Sequence, residues 1–143
     1  MFFRTWLIVC ASSGGAIYLS NVNGSISNCS FVCCNAMYGG AICFDGDGSV
    51  EGCSFTNCIN NGYGGAIHAF NVYVTNCSFV GCSANSKGAA ICFDGDGSVV
   101  NCSFMDCNAK EGAAIYAYGS NCSVSGCSFV DGYAWSDGGA IYS

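Results

Sequence analysis

A four-residue block, Gly-Gly-Ala-Ile, recurs along this chain at nearly constant intervals, and Gly-Ala-Ala-Ile takes its place in two of the copies. The six copies begin at Gly14, Gly39, Gly64, Gly88, Gly112 and Gly138. Successive starts are therefore 25, 25, 24, 24 and 26 residues apart. A fixed period of this length is typical of a solenoid, in which one structural unit is repeated and each copy buries its apolar side on its neighbours.

Each repeat unit has the sequence pattern of short β-strands joined by tight corners. In the second unit we predict a strand over 39–44 and a turn at 45–48. A second strand over 49–52 continues past a corner through 53–55, and a short third strand lies within 56–63. The chain has no proline and shows no helical periodicity. The pattern favours an all-β fold in which about 24–25 residues make one coil of a β-solenoid.

Strand alternation predicts which side chains face the interior of such a solenoid. Four columns should be buried, and each contains one residue type or nearly so. The columns are Ile17, Ile42, Ile67, Ile91, Ile115 and Ile141; Phe31, Phe55, Phe79, Phe104 and Phe129; Cys29, Cys53, Cys77, Cys102 and Cys127; and Ile26, Val50, Val74, Val99 and Val124. Stacking of successive coils at ~4.8 Å selects such uniform columns.

The first glycine of each block is predicted to need a special backbone conformation. It is present in all six copies, whereas alanine replaces the second glycine at Ala89 and Ala113. Because glycine tolerates a positive φ or a close approach of another backbone, we place a coil corner at this first glycine.

The charge balance excludes nucleic acid as a partner. The 143 residues carry a formal net charge of −6, and the fixed cations are Arg4, Lys87 and Lys110. Nucleic-acid binding needs clustered Lys and Arg to replace counterions. An anionic membrane surface is disfavoured for the same reason. Since no apolar run approaches the ~18–20 residues of a membrane-spanning helix, we also expect no membrane insertion.

The blocks resemble a known repeat family. Gly-Gly-Ala-Ile followed by Phe-x-x-Asn is the repeat of the polymorphic outer-membrane proteins, which are chlamydial surface adhesins. Here the second half reads Phe-x-x-Cys, as in Phe55-Thr-Asn-Cys58, so the chain resembles a cysteine-rich variant of that repeat. The resemblance covers nearly the whole chain. It implies a right-handed parallel β-helix, a single-stranded β-solenoid of pectin-lyase-like shape, in a cell-surface or extracellular protein.

The two ends of the chain interrupt the repeat. We expect residues 1–143 to be a single β-helix domain and a fragment of a longer repeat protein, because the block at Gly138 opens a coil that is not finished. End-to-end stacking into fibres through exposed strand edges is the alternative. Residues 1–13 fit a partial repeat, with a targeting segment as the alternative; their apolar core, 6–11, is shorter than the ~7–15 residues of a signal peptide.

Fourteen regularly spaced cysteines leave two alternatives open. Stacked, buried thiols are one, since cysteine behaves as a small hydrophobe. Disulfides are the other, because neighbouring coils place Cα atoms ~4.8 Å apart, within the ~4.4–6.8 Å that a bridge spans. We favour mostly reduced stacks.

The sequence Phe-Asp-Gly-Asp-Gly-Ser-Val occurs twice and offers a candidate calcium site. Asp45 and Asp47 in the first copy, and Asp94 and Asp96 in the second, present carboxylates at the alternate spacing of calcium loops. The copies lie two coils apart, ~9.6 Å by the coil spacing, so one ion does not bridge them. The alternative is an Asp-Gly turn that closes a coil.

A second candidate site is an outward-facing strip in the position after each repeat isoleucine. The strip consists of Tyr18, Cys43, His68, Cys92, Tyr116 and Tyr142. Its cysteines and histidine are ligands for a soft metal ion, although a fourth ligand is missing. Its tyrosines suit a binding surface, since aromatic residues are enriched at contacts. Ordinary surface residues are the alternative.

The function that these observations favour is structural or adhesive. We expect a surface-protein scaffold that binds a protein or glycan ligand and is not an enzyme. A polysaccharide-binding or polysaccharide-cleaving β-helix is the alternative, and a self-stacking fibre subunit is another. A concave cleft lined by acids and a base would favour the enzyme, because cleavage needs such groups around the sugar.

Overall fold

The computed structural model describes residues 12–20, 23–119 and 121–143, so the segment 1–11, with its two interpretations, lies outside the described residues. These residues form nineteen β-strands, all paired in parallel, in three sheets that wind through about five coils. The predicted all-β solenoid is therefore confirmed. Within the described ranges there is no helix that is long and apolar enough to cross a membrane.

The largest sheet, called the isoleucine sheet, carries the strands that follow each glycine block. Its strands are β1 (Ile17–Ser20), β2 (Gly24–Ser27), β5 (Ile42–Glu51), β8 (Ile67–Thr75), β11 (Ile91–Phe93), β12 (Gly97–Val100), β15 (Ile115–Ala117), β16 (Cys122–Ser125) and β19 (Ile141–Tyr142). The phenylalanine sheet contains β3 (Ser30–Val32), β6 (Ser54–Thr56), β9 (Ser78–Val80), β13 (Ser103–Met105) and β17 (Ser128–Val130). The third sheet contains β4 (Asn35–Tyr38), β7 (Ile59–Tyr63), β10 (Ser83–Ala84), β14 (Asn108–Glu111) and β18 (Tyr133–Asp137).

The four predicted interior columns form the core between the sheets. Most of their members are buried, and the partly buried ones belong to the outer coils: Ile17, Val124, Cys127, Phe129 and Ile141. Neighbouring rings of the phenylalanine column lie 4.8–4.9 Å apart and nearly parallel. Each buried phenylalanine contributes about 1.5–3 kcal/mol relative to an exposed one. The prediction of uniform, inward-facing columns is confirmed.

The first glycine of each block has a positive φ in all six copies, between 55° and 68°. A Cβ atom on Gly39 would overlap the carbonyl oxygen of Ile42, which leaves no room for another residue. The glycine therefore makes the corner between the third sheet and the isoleucine sheet, as its invariance predicts. The other corners are also left-handed, and Asn57 and Asp106 are among the residues that fill them.

The predicted turn at 45–48 is wrong. Strand β5 runs without interruption from Ile42 to Glu51, and the segment between Phe44 and Asp47 is an irregularity of register within it. In the second copy, residues 94–96 separate β11 from β12. The Asp-Gly segments thus bend the isoleucine sheet locally and lie on its outer surface instead of closing a coil.

The cysteine columns contain stacked thiols. Cys53, Cys77, Cys82 and Cys102 are buried, free cysteines, which is the arrangement of the stacked-thiol alternative. Their sulfurs lie within hydrogen-bond distance of carbonyl groups; the Sγ of Cys53, for example, donates to the carbonyl oxygen of Glu51 at 3.4 Å. The backbone N–H of Cys53 lies 3.4 Å from the Sγ of Cys77 on the next coil. The thiols thus form hydrogen bonds with backbone groups at the coil corners.

Candidate ligand-binding groove

The predicted strip forms one continuous column on the outer side of the isoleucine sheet. Register pairs join each member to the next, from Tyr18 with Cys43 to Tyr116 with Tyr142. The expectation that this whole column is exposed is wrong. Tyr18 is 50% exposed, but Cys43, Cys92 and Tyr116 are 5% exposed or less. The middle of the strip is the floor of a groove, and we call it the floor column.

Two further columns cover the floor and form the walls of the groove. The corner wall is the position before each first glycine: Ser13, Tyr38, Tyr63, Lys87, Glu111 and Asp137. The strand wall is the position two residues after each floor residue: Ser20, Asp45, Phe70, Asp94 and Tyr118. Large side chains of both walls line the groove, and the ammonium of Lys87 lies over the ring of the floor residue Tyr116.

The groove has two connected parts. The larger, of about 610 Å³, is lined by Tyr38, Tyr63, His68, Lys87, Asp94 and Tyr118. The smaller, of about 230 Å³, shares Tyr38, His68 and Asp94 with the first and extends past Tyr18 and Asp45. Tyrosines, one imidazole, one ammonium and two carboxylates thus meet along one open depression, the mixture typical of a ligand site.

His68 is the centre of the groove and its orientation is fixed on four sides. Its Nε2 lies 3.3 Å from a carboxylate oxygen of Asp94, and its Nδ1 lies 3.8 Å from the Sγ of Cys43. The ring packs at an angle against Tyr38 and Tyr63, at centroid distances of 5.7 and 6.4 Å. Burial lowers the pKa of His68, and the carboxylate of Asp94 opposes that shift.

Burial also affects the two floor thiols. It raises the pKa of Cys43 to about 11, with a further contribution from the charge of Asp45. Burial likewise raises the pKa of Cys92 well above its ordinary range, and the charge of Asp94 adds to the shift. Since a reactive cysteine needs a lowered pKa, neither thiol has the electrostatics of a nucleophile.

Lys87, on the corner wall, contacts Tyr116 on the floor. Its Nζ donates a hydrogen bond of 2.8 Å to the hydroxyl of Tyr116, and this bond is the main cause of its raised pKa. The same ammonium lies 4.3 Å from the ring centre of Tyr116, 5.7 Å from that of Tyr63 and 5.9 Å from that of Tyr118. All three distances are within the range of cation–π attraction.

The four carboxylates of the two candidate calcium sites have different partners. Asp47 accepts a hydrogen bond from the amide of Asn71, whose oxygen accepts from the backbone N–H of Asp96. Asp96 in turn accepts from Asn121. Asp94 points to His68, and Asp45 lines the groove. Asp47 and Asp96 thus belong to a polar ladder beside the groove, and the calcium sites stay a prediction.

The sequence predicts the floor of the groove, and of the wall residues it singles out only Asp45 and Asp94, as calcium ligands. Tyr38, Tyr63 and Lys87 stand directly before an invariant glycine, and Phe70 and Tyr118 stand two residues after the floor. The sequence signal that could have identified the walls is the variability of their residue types. Both wall positions change residue type from coil to coil, whereas the interior columns do not. Lys87, one of the three fixed cations of the sequence, lies in the groove.

The fold and the groove together define a class: a parallel β-solenoid with an aromatic, charged depression along its outer face. The sequence profile of the family described as "Right handed beta helix region" matches residues 8–143. The chain belongs to this family of right-handed β-helices. No curated protein and no solved structure matches the chain.

Proposed function

We propose that this β-helix is an interaction scaffold of a cell-surface or secreted protein and that its groove binds a neutral glycan. The observation that carries the proposal is the pair of aromatic walls around a polar floor. Tyr38 and Tyr63 on one wall and Phe70 and Tyr118 on the other offer flat apolar faces. Phe70 and Tyr118 are 56% and 73% exposed, so their rings are open to a ligand.

The polar groups of the groove suit hydroxyl groups better than charges. Asp94 accepts hydrogen bonds, Lys87 donates them, and tyrosine hydroxyls do both. The formal net charge of −6 repels acidic polysaccharides, and the positive charge of Lys87 already rests on tyrosine rings. A neutral sugar is not repelled by the net negative charge and does not need a free cation. Its apolar C–H faces stack on aromatic rings.

The resemblance to the polymorphic outer-membrane protein repeat supports the surface location in this proposal. A protein ligand in place of a glycan is an outcome that the binding experiment distinguishes. End-to-end association through the coil edges is a separate part of the adhesive hypothesis, and sedimentation of the purified chain at increasing concentration measures it.

A printed array of neutral and acidic glycans, probed with the full chain, tests the proposal. We expect retention on neutral glycans and loss of it in Tyr38→Ala and Tyr118→Ala. Removal of one stacking ring should weaken binding roughly 2–10-fold, and removal of one from each wall should weaken it more. Tyr73→Ala is the matched control, because Tyr73 is also exposed, at 60%, but does not line the groove.

Equal losses in the Tyr38 and Tyr73 variants would show that the groove is not the binding surface. Retention on acidic glycans alone would contradict the choice of a neutral ligand. Binding of the chain to protein-coated but not to glycan-coated spots would replace the glycan with a protein partner. Circular dichroism of each variant confirms that the β-helix is intact.

Polysaccharide cleavage is the second candidate, because the groove contains acids and a base. Asp45 and Asp94 lie two coils apart, ~9.6 Å by the coil spacing, near the upper end of the ~6.5–9.5 Å that inverting glycosidases use. Release of reducing ends from neutral polysaccharides, lost in Asp94→Asn, would favour cleavage. Binding without such release favours the scaffold alone.

A further inference from the structure

Three side chains of different ligand type meet at the centre of the groove: His68, Cys92 and Asp94. One ligand atom from each, an imidazole nitrogen, a sulfur and a carboxylate oxygen, lies within 4.8 Å of the others. His68 and Cys92 are register partners on neighbouring coils, and Asp94 follows Cys92 by two residues, just past the end of strand β11. We propose that these three residues bind one Zn²⁺ ion.

The donor set selects zinc over calcium. Nitrogen, thiolate and carboxylate are the ligands of tetrahedral zinc sites, whereas calcium takes six to eight oxygens. Because His68 and Asp94 line the larger part of the groove, the fourth position of the ion would be left to water or to a ligand in the groove. Three protein ligands and one open position are the pattern of zinc sites that exchange water or bind a ligand.

Charge balance explains how a buried thiol can serve as a ligand. The side chain of Cys92 is 1% exposed, so a lone thiolate there would be costly. On binding, the S–H bond of Cys92 breaks, its proton leaves to solvent and a Zn–S bond forms. One thiolate and one carboxylate then neutralise the two charges of the ion. The carboxylate of Asp94 is half-exposed and gives the ion a route from solvent.

A partner for the second nitrogen of His68 is already in place. When Nε2 binds the ion, the proton of the imidazole is on Nδ1, which then donates to the Sγ of Cys43, 3.8 Å away. Such a bond to the far nitrogen orients most zinc-bound histidines. Tyr38 and Tyr63 hold the plane of the ring. Cys43 is thus a positioning residue for His68, and the two tyrosines pack against the imidazole ring.

Zinc titration of the full chain tests the proposal without any glycan, so its outcome is independent of the proposed ligand. The chain is stripped with a chelator, kept reduced with a phosphine and titrated with Zn²⁺ against a chromophoric competitor. We expect one tight equivalent. His68→Gln and Asp94→Asn should each weaken binding at least ~10-fold, and Cys43→Ala should weaken it about 10-fold as an outer-shell change.

Cobalt reports the geometry of the same site. Co²⁺ bound in place of Zn²⁺ should show the visible bands of a tetrahedral complex and a thiolate charge-transfer band. The charge-transfer band should vanish in Cys92→Ala and remain in Cys33→Ser. Cys33→Ser is the matched control, because Cys33 is an exposed thiol outside the groove.

Several results would overturn the zinc site. One is that the wild-type chain does not bind one equivalent of Zn²⁺ tightly. Another is that His68→Gln and Asp94→Asn both bind Zn²⁺ with unchanged affinity. The third is that Cys33→Ser loses the bound equivalent of Zn²⁺. Asp94→Asn keeps the test decisive if the His68 variant does not fold, since the Asp94 side chain is 52% exposed and is not part of the core.

Discussion

Ile67 and His68 are neighbours on strand β8, and they belong to columns that obey different rules. The column of Ile67 is isoleucine in all six copies of the repeat block and fills the interior. The column of His68 contains tyrosine, cysteine and histidine and forms the groove floor. An interior residue meets a copy of itself on each neighbouring coil, so one residue type fits every coil. A floor residue meets wall residues that change along the axis, so each coil can differ.

The comparison teaches where specificity lies in this β-helix. Interior columns supply stability and repeat without variation, whereas the floor and both walls supply chemistry and vary. Stability and binding are therefore separable by mutation, because interior and floor side chains point to opposite sides of the same strands. Pairs of residues of the same type test that separation. In each pair one residue has the proposed structural role and the other does not.

The largest effect is expected for Phe79→Ala. Phe79 is fully buried and stacks on Phe55 and Phe104, so the truncation leaves a cavity in the middle of the phenylalanine column. We expect a loss of about 3–5 kcal/mol in the free energy of unfolding, measured by urea denaturation. Phe70→Ala, on the groove wall, should cost about 0.5 kcal/mol or less. Similar losses in the two variants would show that wall and interior are not energetically distinct.

Gly64→Ala is the next test. Gly64 has a φ of 68°, and a Cβ there would overlap the carbonyl oxygen of Ile67. The left-handed conformation alone costs an L-residue about 1–2 kcal/mol, and the overlap adds to it. Gly139→Ala is the control, because a Cβ at Gly139 meets nothing within 4 Å. Urea midpoints of the two variants give the difference, and a stable Gly64 variant would refute the corner role of the first glycine.

How far the sequence predicts the structure depends on whether a residue lies in a regular strand or at its margin. The period of the glycine blocks and the alternation within strands predict the solenoid, the interior columns and the floor column. The uniformity of the Ile67 column is a direct consequence of coil stacking, so its burial can be inferred without coordinates.

The walls could not be inferred in the same way. Tyr63 precedes a glycine of positive φ, and alternation no longer specifies side-chain direction once the backbone leaves the strand. Asp94 follows strand β11, where we predicted a turn, and its contact with His68 depends on how that irregular segment bends. Both misses have one cause, because the direction of a side chain at a corner or a bulge is set by the local backbone and not by the period.

Asn71→Ala tests the polar ladder beside the groove. Asn71 joins Asp47 to the backbone of Asp96 through bonds of 2.8 and 2.7 Å, and its loss should cost about 1 kcal/mol. Asn85→Ala, which removes one longer bond of 3.3 Å to Asn61, should cost less. Thermal unfolding with and without Ca²⁺ extends the test. A calcium-dependent gain in stability that Asn71→Ala abolishes would support the calcium site predicted from the sequence.

The smallest effect is expected for Lys87→Met, and it shows how much a groove residue contributes to the fold. The methionine keeps an apolar stem over the floor but removes the hydrogen bond to Tyr116 and the cation–π contacts. We expect a loss of about 0.5–1 kcal/mol in the free energy of unfolding. Lys110→Met is the control, since the side chain of Lys110 is 52% exposed and its ion pair with Glu111 spans 4.0 Å. A loss in the Lys87 variant as large as that in Phe79→Ala would mean that groove and interior are one energetic unit, because the ammonium would then support the core and not only the walls.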